Sequence, residues 1–86
     1  MEYRQYPNTQ AVKDVLAEWT PGTDLHGPEI VSLAYDKLRK HGSPAKPMDA
    51  SIMRYVRYYG CLYGVRLKKR STSLYHKESP RQKTVG

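Results

Sequence analysis

Apolar side chains recur at helical spacing in three stretches of this chain and then change period. In "QAVKDVLAEW" (residues 10–19), Val12, Val15, Leu16 and Trp19 form one stripe. Asn8 or Thr9 is positioned to cap that helix. "TPGTD" ends it, because Pro and Gly together interrupt helical geometry. Leu25 then suggests a short extended piece. "HGPEIVSLAYDKLRKHG" (26–42) is the clearest helix, with Ile30, Val31, Ala34, Tyr35 and Leu38 as its buried stripe. Pro28 suits its first position and Glu29 its positive N-terminal end. Lys37, Arg39, Lys40 and His41 crowd its last turn, where cations are favoured, and Gly42 can end it in a left-handed conformation.

"SPAKPM" is a stiff two-proline connector. Asp49 follows as an N-cap for "ASIMRYVRYYG" (50–60). At about 100° per residue, Ile52, Tyr55, Val56 and Tyr59 face inward. Arg54 lies nearly opposite, flanked by Arg57 and Tyr58, with Ser51 at the exposed border of the first turn. Gly60 is expected to stop this helix. Beyond it the period falls to two: Tyr63, Val65 and Leu67 point one way, Gly64, Arg66 and Lys68 the other. "KKRSTS" has turn composition and "SLYHK" returns as a strand, so residues 62–77 predict a hairpin with a basic tip. Residues 1–8 are expected to be an arm and "ESPRQKTVG" (78–86) a polar tail around one domain at 9–77.

Composition narrows the picture. A chain of 86 residues with 38% apolar side chains builds a small core; at this size only roughly 60% of the unfolded surface is buried. Eight tyrosines, one tryptophan and no phenylalanine place much aromatic area at the edge of that core. Trp19, Tyr35, Tyr55 and Tyr59 are the large side chains expected to hold it. Charge is divided unevenly. Residues 1–36 carry two basic and six acidic side chains, whereas residues 37–86 carry thirteen basic and two acidic. Such asymmetry points the second half toward a polyanion. No apolar run approaches the ~20 residues of a membrane span, residues 1–10 have no signal-like apolar segment, and Cys61 has no internal partner for a disulfide. A cytoplasmic location and no membrane partner are therefore expected.

The order helix, short strand, helix, stiff turn, helix, hairpin resembles the winged helix-turn-helix family across residues 9–77. The expected fold is α+β: a three-helix domain with a C-terminal β-hairpin wing. The resemblance implies that residues 28–41 form the supporting helix, 50–59 the recognition helix and 62–77 the wing. It implies sequence-specific binding of double-stranded DNA, by a small transcriptional regulator or a replication or recombination accessory factor. Arg54 and Arg57 are then the base readers, since an arginine fork matches guanine O6 and N7. Ser51 and Tyr58 are candidate partners on the same helix. Arg66, Lys68, Lys69 and Arg70, with the hydroxyls of Ser71, Thr72 and Ser73, are candidate phosphate contacts of the wing. Lys40 and Lys46 are peripheral candidates. A homodimer on paired half-sites is a further expectation, with Tyr3, Tyr6 and Trp19 as seam candidates.

Two other readings compete. Tyr55, Tyr58, Tyr59, Tyr63 and Tyr75 interleave with arginines, a pattern suited to stacking on unpaired RNA or single-stranded bases. Helical and strand phase, however, turns most of these rings inward. A docking module would instead present Glu2, Asp14, Glu18 and Asp24 to a protein. Enzymatic chemistry has little support. His26, His41, His76 and Cys61 lack metal-ligand spacing, Cys61 reads as a small buried apolar residue, and "YGCLYG" is no phosphate loop. No metal and no cofactor are expected.

Overall fold

A computed structural model describes residues 6–43 and 46–79. Helix α1 (Asn8–Glu18) is followed by strand β1 (Asp24–His26), helix α2 (Gly27–Lys40), helix α3 (Asp49–Gly60), a 3₁₀ turn (Cys61–Tyr63), and strands β2 (Val65–Lys69) and β3 (Leu74–Lys77). The sheet is antiparallel, with order β1-β3-β2. The molecule is thus the expected α+β domain of three helices closed by a C-terminal hairpin. Most of the N-terminal arm and C-terminal tail, and part of the connector at residues 44 and 45, lie outside the described residues.

The helices pack because each has one apolar stripe and none can bury it alone. Val12 and Leu16 of α1, Ile30 of α2, and Ile52 and Val56 of α3 are the largest fully buried side chains. Trp19, Val65 and Tyr75 close the cluster, and Tyr35, Tyr55, Tyr59 and Tyr63 pack against its edge. Trp19 is only 4% exposed, which removes it as a dimer-seam candidate. Its indole N–H is occupied too, donating to the Thr23 carbonyl at 3.1 Å.

Helix starts differ from their expected caps. The Pro7 carbonyl receives the N–H groups of Gln10 and Ala11, so Asn8 lies inside α1 and neither Asn8 nor Thr9 caps it. Likewise the Met48 carbonyl receives the Ser51 and Ile52 N–H groups at 3.0 and 3.1 Å. Asp49 sits in the first turn of α3 with its side chain committed elsewhere. Helix α2 starts at Gly27, one residue earlier than expected, so Pro28 takes its second position. There the His26 N–H donates to Glu29 Oε1 at 2.8 Å, one half of a capping box. Gly42 ends α2 as expected, at φ 67°.

The α-helix ends at Gly60 as expected, but not through a left-handed turn. The Gly60 backbone stays right-handed (φ −56°) and leads into the 3₁₀ turn; the left-handed exit is Gly64, at φ 76°. What Gly60 supplies is space. A Cβ there would stand 3.0 Å from the Val65 carbonyl oxygen. Gly60→Ala is expected to push β2 away from α3 and destabilise the fold by about 1–3 kcal/mol, as overpacking does. A urea titration measures the loss.

Strand alternation also explains a residue absent from the expected core. Because Tyr75 points inward, so does Lys77. Its Nζ donates to the carbonyls of Leu16 and Ala17 at 2.6 and 3.3 Å, satisfying the last turn of α1. Lys77→Met keeps the stem but strands these carbonyls. The expected loss is about 1–3 kcal/mol, read from thermal or urea unfolding.

Candidate nucleic-acid interface

Helix α3 divides lengthwise. Ile52, Val56 and Gly60 are buried, Met53, Tyr55 and Tyr59 half-buried, and Arg54, Arg57 and Tyr58 exposed. At ~100° per residue, Arg54 stands opposite the midline of Ile52 and Val56, so it occupies the crest of the outer face. The two flanks of the helix are identified by their neighbours. On one, Lys13 of α1 lies over the Tyr59 ring, 4.7 Å from its centroid. On the other, Met53 and Ser73 both approach Gly27, where a Cβ would meet them at 3.6 and 3.3 Å. Ser73 closes the hairpin turn and its carbonyl accepts the Gly27 N–H at 2.9 Å. The base of the wing is therefore docked beside α3 on the Met53 side. Arg57, one turn beyond Met53, lies on that side of the crest.

The hairpin turn spans residues 70–73, with the Ser73 N–H donating to the Arg70 carbonyl and Ser73 itself left-handed at φ 51°. Arg70, Ser71 and Thr72 project from it and Lys69 from the adjoining end of β2, all exposed. Ser73 is also exposed, but its backbone is the pin to α2. Lys40 and Lys46 are exposed on either side of the α2–α3 connection, and Ser51 is half-buried on the first turn of α3.

Ion pairing sorts the basic residues into two groups. On the outer sheet face, Asp24, His76 and Arg66 lie in register across the three strands. Asp24 accepts from His76 Nδ1 at 2.6 Å and from Lys68 Nζ at 3.0 Å. Those two hydrogen bonds, His76 first, hold its carboxyl below the usual carboxylate range. Arg66 pairs with Glu78, Lys37 with Glu18 and Arg39 with Asp36. Among the described residues, the basic side chains with no ion pair, hydrogen bond or ring contact are Lys40, Lys46, Arg54, Arg57, Lys69 and Arg70. Two stand on the outer face of α3, two at the wing tip and two around the connection between α2 and α3.

Acidic residues are committed in the opposite sense. Asp14 accepts hydrogen bonds from the Tyr6 hydroxyl and the Gln10 amide. Burial alone would raise its pKa, but these bonds outweigh that and lower it. The Tyr6 hydroxyl is pushed far above the usual phenol range by burial and by Asp14. Its ring stacks on His41, with centroids 3.9 Å apart, which sets the end of the arm against the C-terminal end of α2. Of the expected acidic docking face, Asp14, Glu18 and Asp24 thus each hold an internal partner, and Glu2 lies outside the described residues. The Tyr35 hydroxyl lies 2.6 Å from the Pro47 carbonyl and 2.7 Å from Asp49 Oδ1, and donates to one or the other. This braces the α2–α3 connection at the foot of the exposed helix.

Of the described tyrosines, Tyr58 is the outward one, 71% exposed and set edge-on to Tyr59 with centroids 4.9 Å apart. Tyr75 is buried at 6%. Cys61 is exposed, contrary to expectation, because the 3₁₀ turn rotates it off the inward stripe. No three His, Cys, Asp or Glu side chains gather as a metal site would need among the described residues. No described helix is long and apolar enough to cross a membrane.

The neutralisation of Arg66 and Lys68 and the burial of Lys77 escape sequence reasoning. Their partners lie 12, 44 and about 60 positions away along the chain. The only available signal is the strand register, once β1 is known to pair with β3. A three-helix bundle with a C-terminal hairpin is a topology compatible with winged-helix folds; compared with protein-family models, curated proteins and solved structures, the chain matches none.

Proposed function

We propose that this protein binds double-stranded DNA sequence-specifically, with α3 in the major groove and the wing tip on the adjacent backbone. The observation that carries this reading is the sorting of charge. Internal pairing consumes the cations of the sheet face and leaves uncompensated ones on α3 and the tip, two elements whose Met53 and Ser73 both pack against Gly27. An exposed arginine on a helix crest supplies the paired donors that guanine accepts. Unpaired lysines and arginines at the tip supply sequence-independent phosphate attraction. The role is that of a small non-catalytic regulator or an accessory factor acting on duplex DNA.

Fluorescence anisotropy with a labelled duplex over a series of salt concentrations tests it. Affinity is expected to fall linearly on a log–log plot; no duplex binding, or binding indifferent to salt, rejects the proposal. The exposure of Tyr58 favours a second reading, stacking on unpaired RNA bases. Competition separates the two. Tighter binding of single-stranded RNA, lost in Tyr58→Ala, would replace groove insertion by stacking.

A further inference from the structure

The crest of α3 has a composition of its own. Ala50, Arg54 and Tyr58 follow one another at four-residue intervals, and all three are exposed. Ala50 and Tyr58 fall about 40° to either side of Arg54 at ~100° per residue, so the three make one ridge. Arg57 is not on that ridge. It is displaced toward the flank where Met53 and Ser73 meet at Gly27, the side on which the wing stands. The unpaired arginines of α3 therefore occupy unequal positions, one central and one leaning toward the wing.

Base edges present matching chemistry. Guanine offers O6 and N7 to an arginine fork, and the thymine C5-methyl is the apolar group of the major groove, a partner for an alanine methyl. Residues four apart on a helix are separated by about 6 Å along its axis. Successive base pairs are about 3.4 Å apart, so a helix lying along the groove sets Ala50 and Arg54 about two base pairs apart.

We infer that the ridge Ala50–Arg54 selects a guanine with a thymine methyl about two base pairs away, while Arg57 joins Lys69 and Arg70 on the backbone. This rests on the duplex-binding reading above and divides the arginines of α3 into one base reader and one phosphate contact. Tyr58, farther toward the C-terminal end of the ridge, meets the sugar–phosphate edge as the helix leaves the groove.

The test begins with a random duplex pool about two helical turns long, selected on the full chain. Enrichment of guanine with thymine at that spacing is expected. In the selected duplex, replacing the guanine by 7-deazaguanine removes N7, and replacing thymine by uracil removes the methyl; neither alters phosphate charge. Loss of N7 should weaken wild-type binding about 5- to 150-fold. It should leave Arg54→Ala nearly indifferent, while Arg57→Ala remains sensitive. Uracil should weaken wild type several-fold and Ala50→Gly not at all, with circular dichroism checking that each variant stays folded. Salt-dependent binding without enrichment, or sensitivity to N7 that survives in Arg54→Ala and vanishes in Arg57→Ala, overturns the inference and leaves duplex binding standing. Failure to bind any duplex removes both.

Discussion

Replacing Arg54, Arg57, Lys69 and Arg70 together by glutamine is expected to reduce duplex binding to near background at physiological salt. The salt dependence should flatten with it. Each phosphate contact contributes a slope of about −0.9 in log affinity against log salt. Losing four cations that hold no internal partner should make the slope shallower by about 3.6, or about 2.7 if Arg54 contacts a base. The same substitution at Arg66 and Lys68 should change the slope by less than one. Both residues are basic and belong to the hairpin, but each stands beside a carboxylate. Glu78 pairs Arg66, and Asp24 pairs Lys68 together with His76. Such surface pairs are worth only about 0–1 kcal/mol in stability. Their effect here is instead to cancel charge, because a neutral pair attracts a polyanion weakly. The converse substitution is therefore informative: Asp24→Asn with Glu78→Gln frees both cations and should tighten duplex binding and steepen its salt dependence. Unchanged affinity in that double variant, or equal losses in the two glutamine variants, would show that internal pairing does not sort the basic residues. Isothermal titration calorimetry or anisotropy at several salt concentrations reads all three.

Ile52→Ala should have the largest effect on stability, about 2–5 kcal/mol. Ile52 is 1% exposed and lies where α3 enters the core with Val12, Leu16 and Ile30. A domain of this kind has a total stability of about 5–15 kcal/mol, so one cavity consumes a large part of it. The substitution also loosens the helix that carries Arg54, two residues on. Duplex affinity should therefore fall along with the urea midpoint, although no exposed atom changes. Arg54→Ala provides the contrast. It removes a solvated side chain from the crest of α3, so its unfolding free energy should stay within about 0.5 kcal/mol of wild type while binding falls. An Ile52→Ala protein as stable as wild type would mean that α3 is not seated by this side chain.

Element order, the helical stripes and the outward placement of Arg54, Arg57 and Tyr58 are legible along the chain itself. Helical and strand phase are local properties, set by spacing over a few residues, and the apolar pattern of residues 50–59 admits one buried face. Local spacing also places Val65 inward and Arg66 outward on β2, but Leu67, assigned to the Val65 face, is exposed, and Tyr63 lies in the 3₁₀ turn. Local spacing misleads where two local signals compete. Gly60 ends α3 as its composition suggests, yet the approach of the Val65 carbonyl gives it a further task and Gly64 makes the left-handed exit. Asp49 looks like a cap, but the Met48 carbonyl receives the first N–H groups and the Asp49 carboxylate faces Tyr35.

Charge was the property least readable in one dimension. Along the chain, Arg66, Lys68, Lys69 and Arg70 form a single basic run. Folding brings β1 against β3 and so carries Asp24 to within reach of Lys68 and His76, while Glu78 comes back beside Arg66. Lys77 is drawn inward to the end of α1 by the same alternation that buries Tyr75. By itself, the sequence determined that this is a small α+β chain with a basic second half and an arginine-bearing helix. Only the tertiary structure decided which cations remain unpaired, because a charge is cancelled by whatever lies within a few ångströms in space, however distant in the chain.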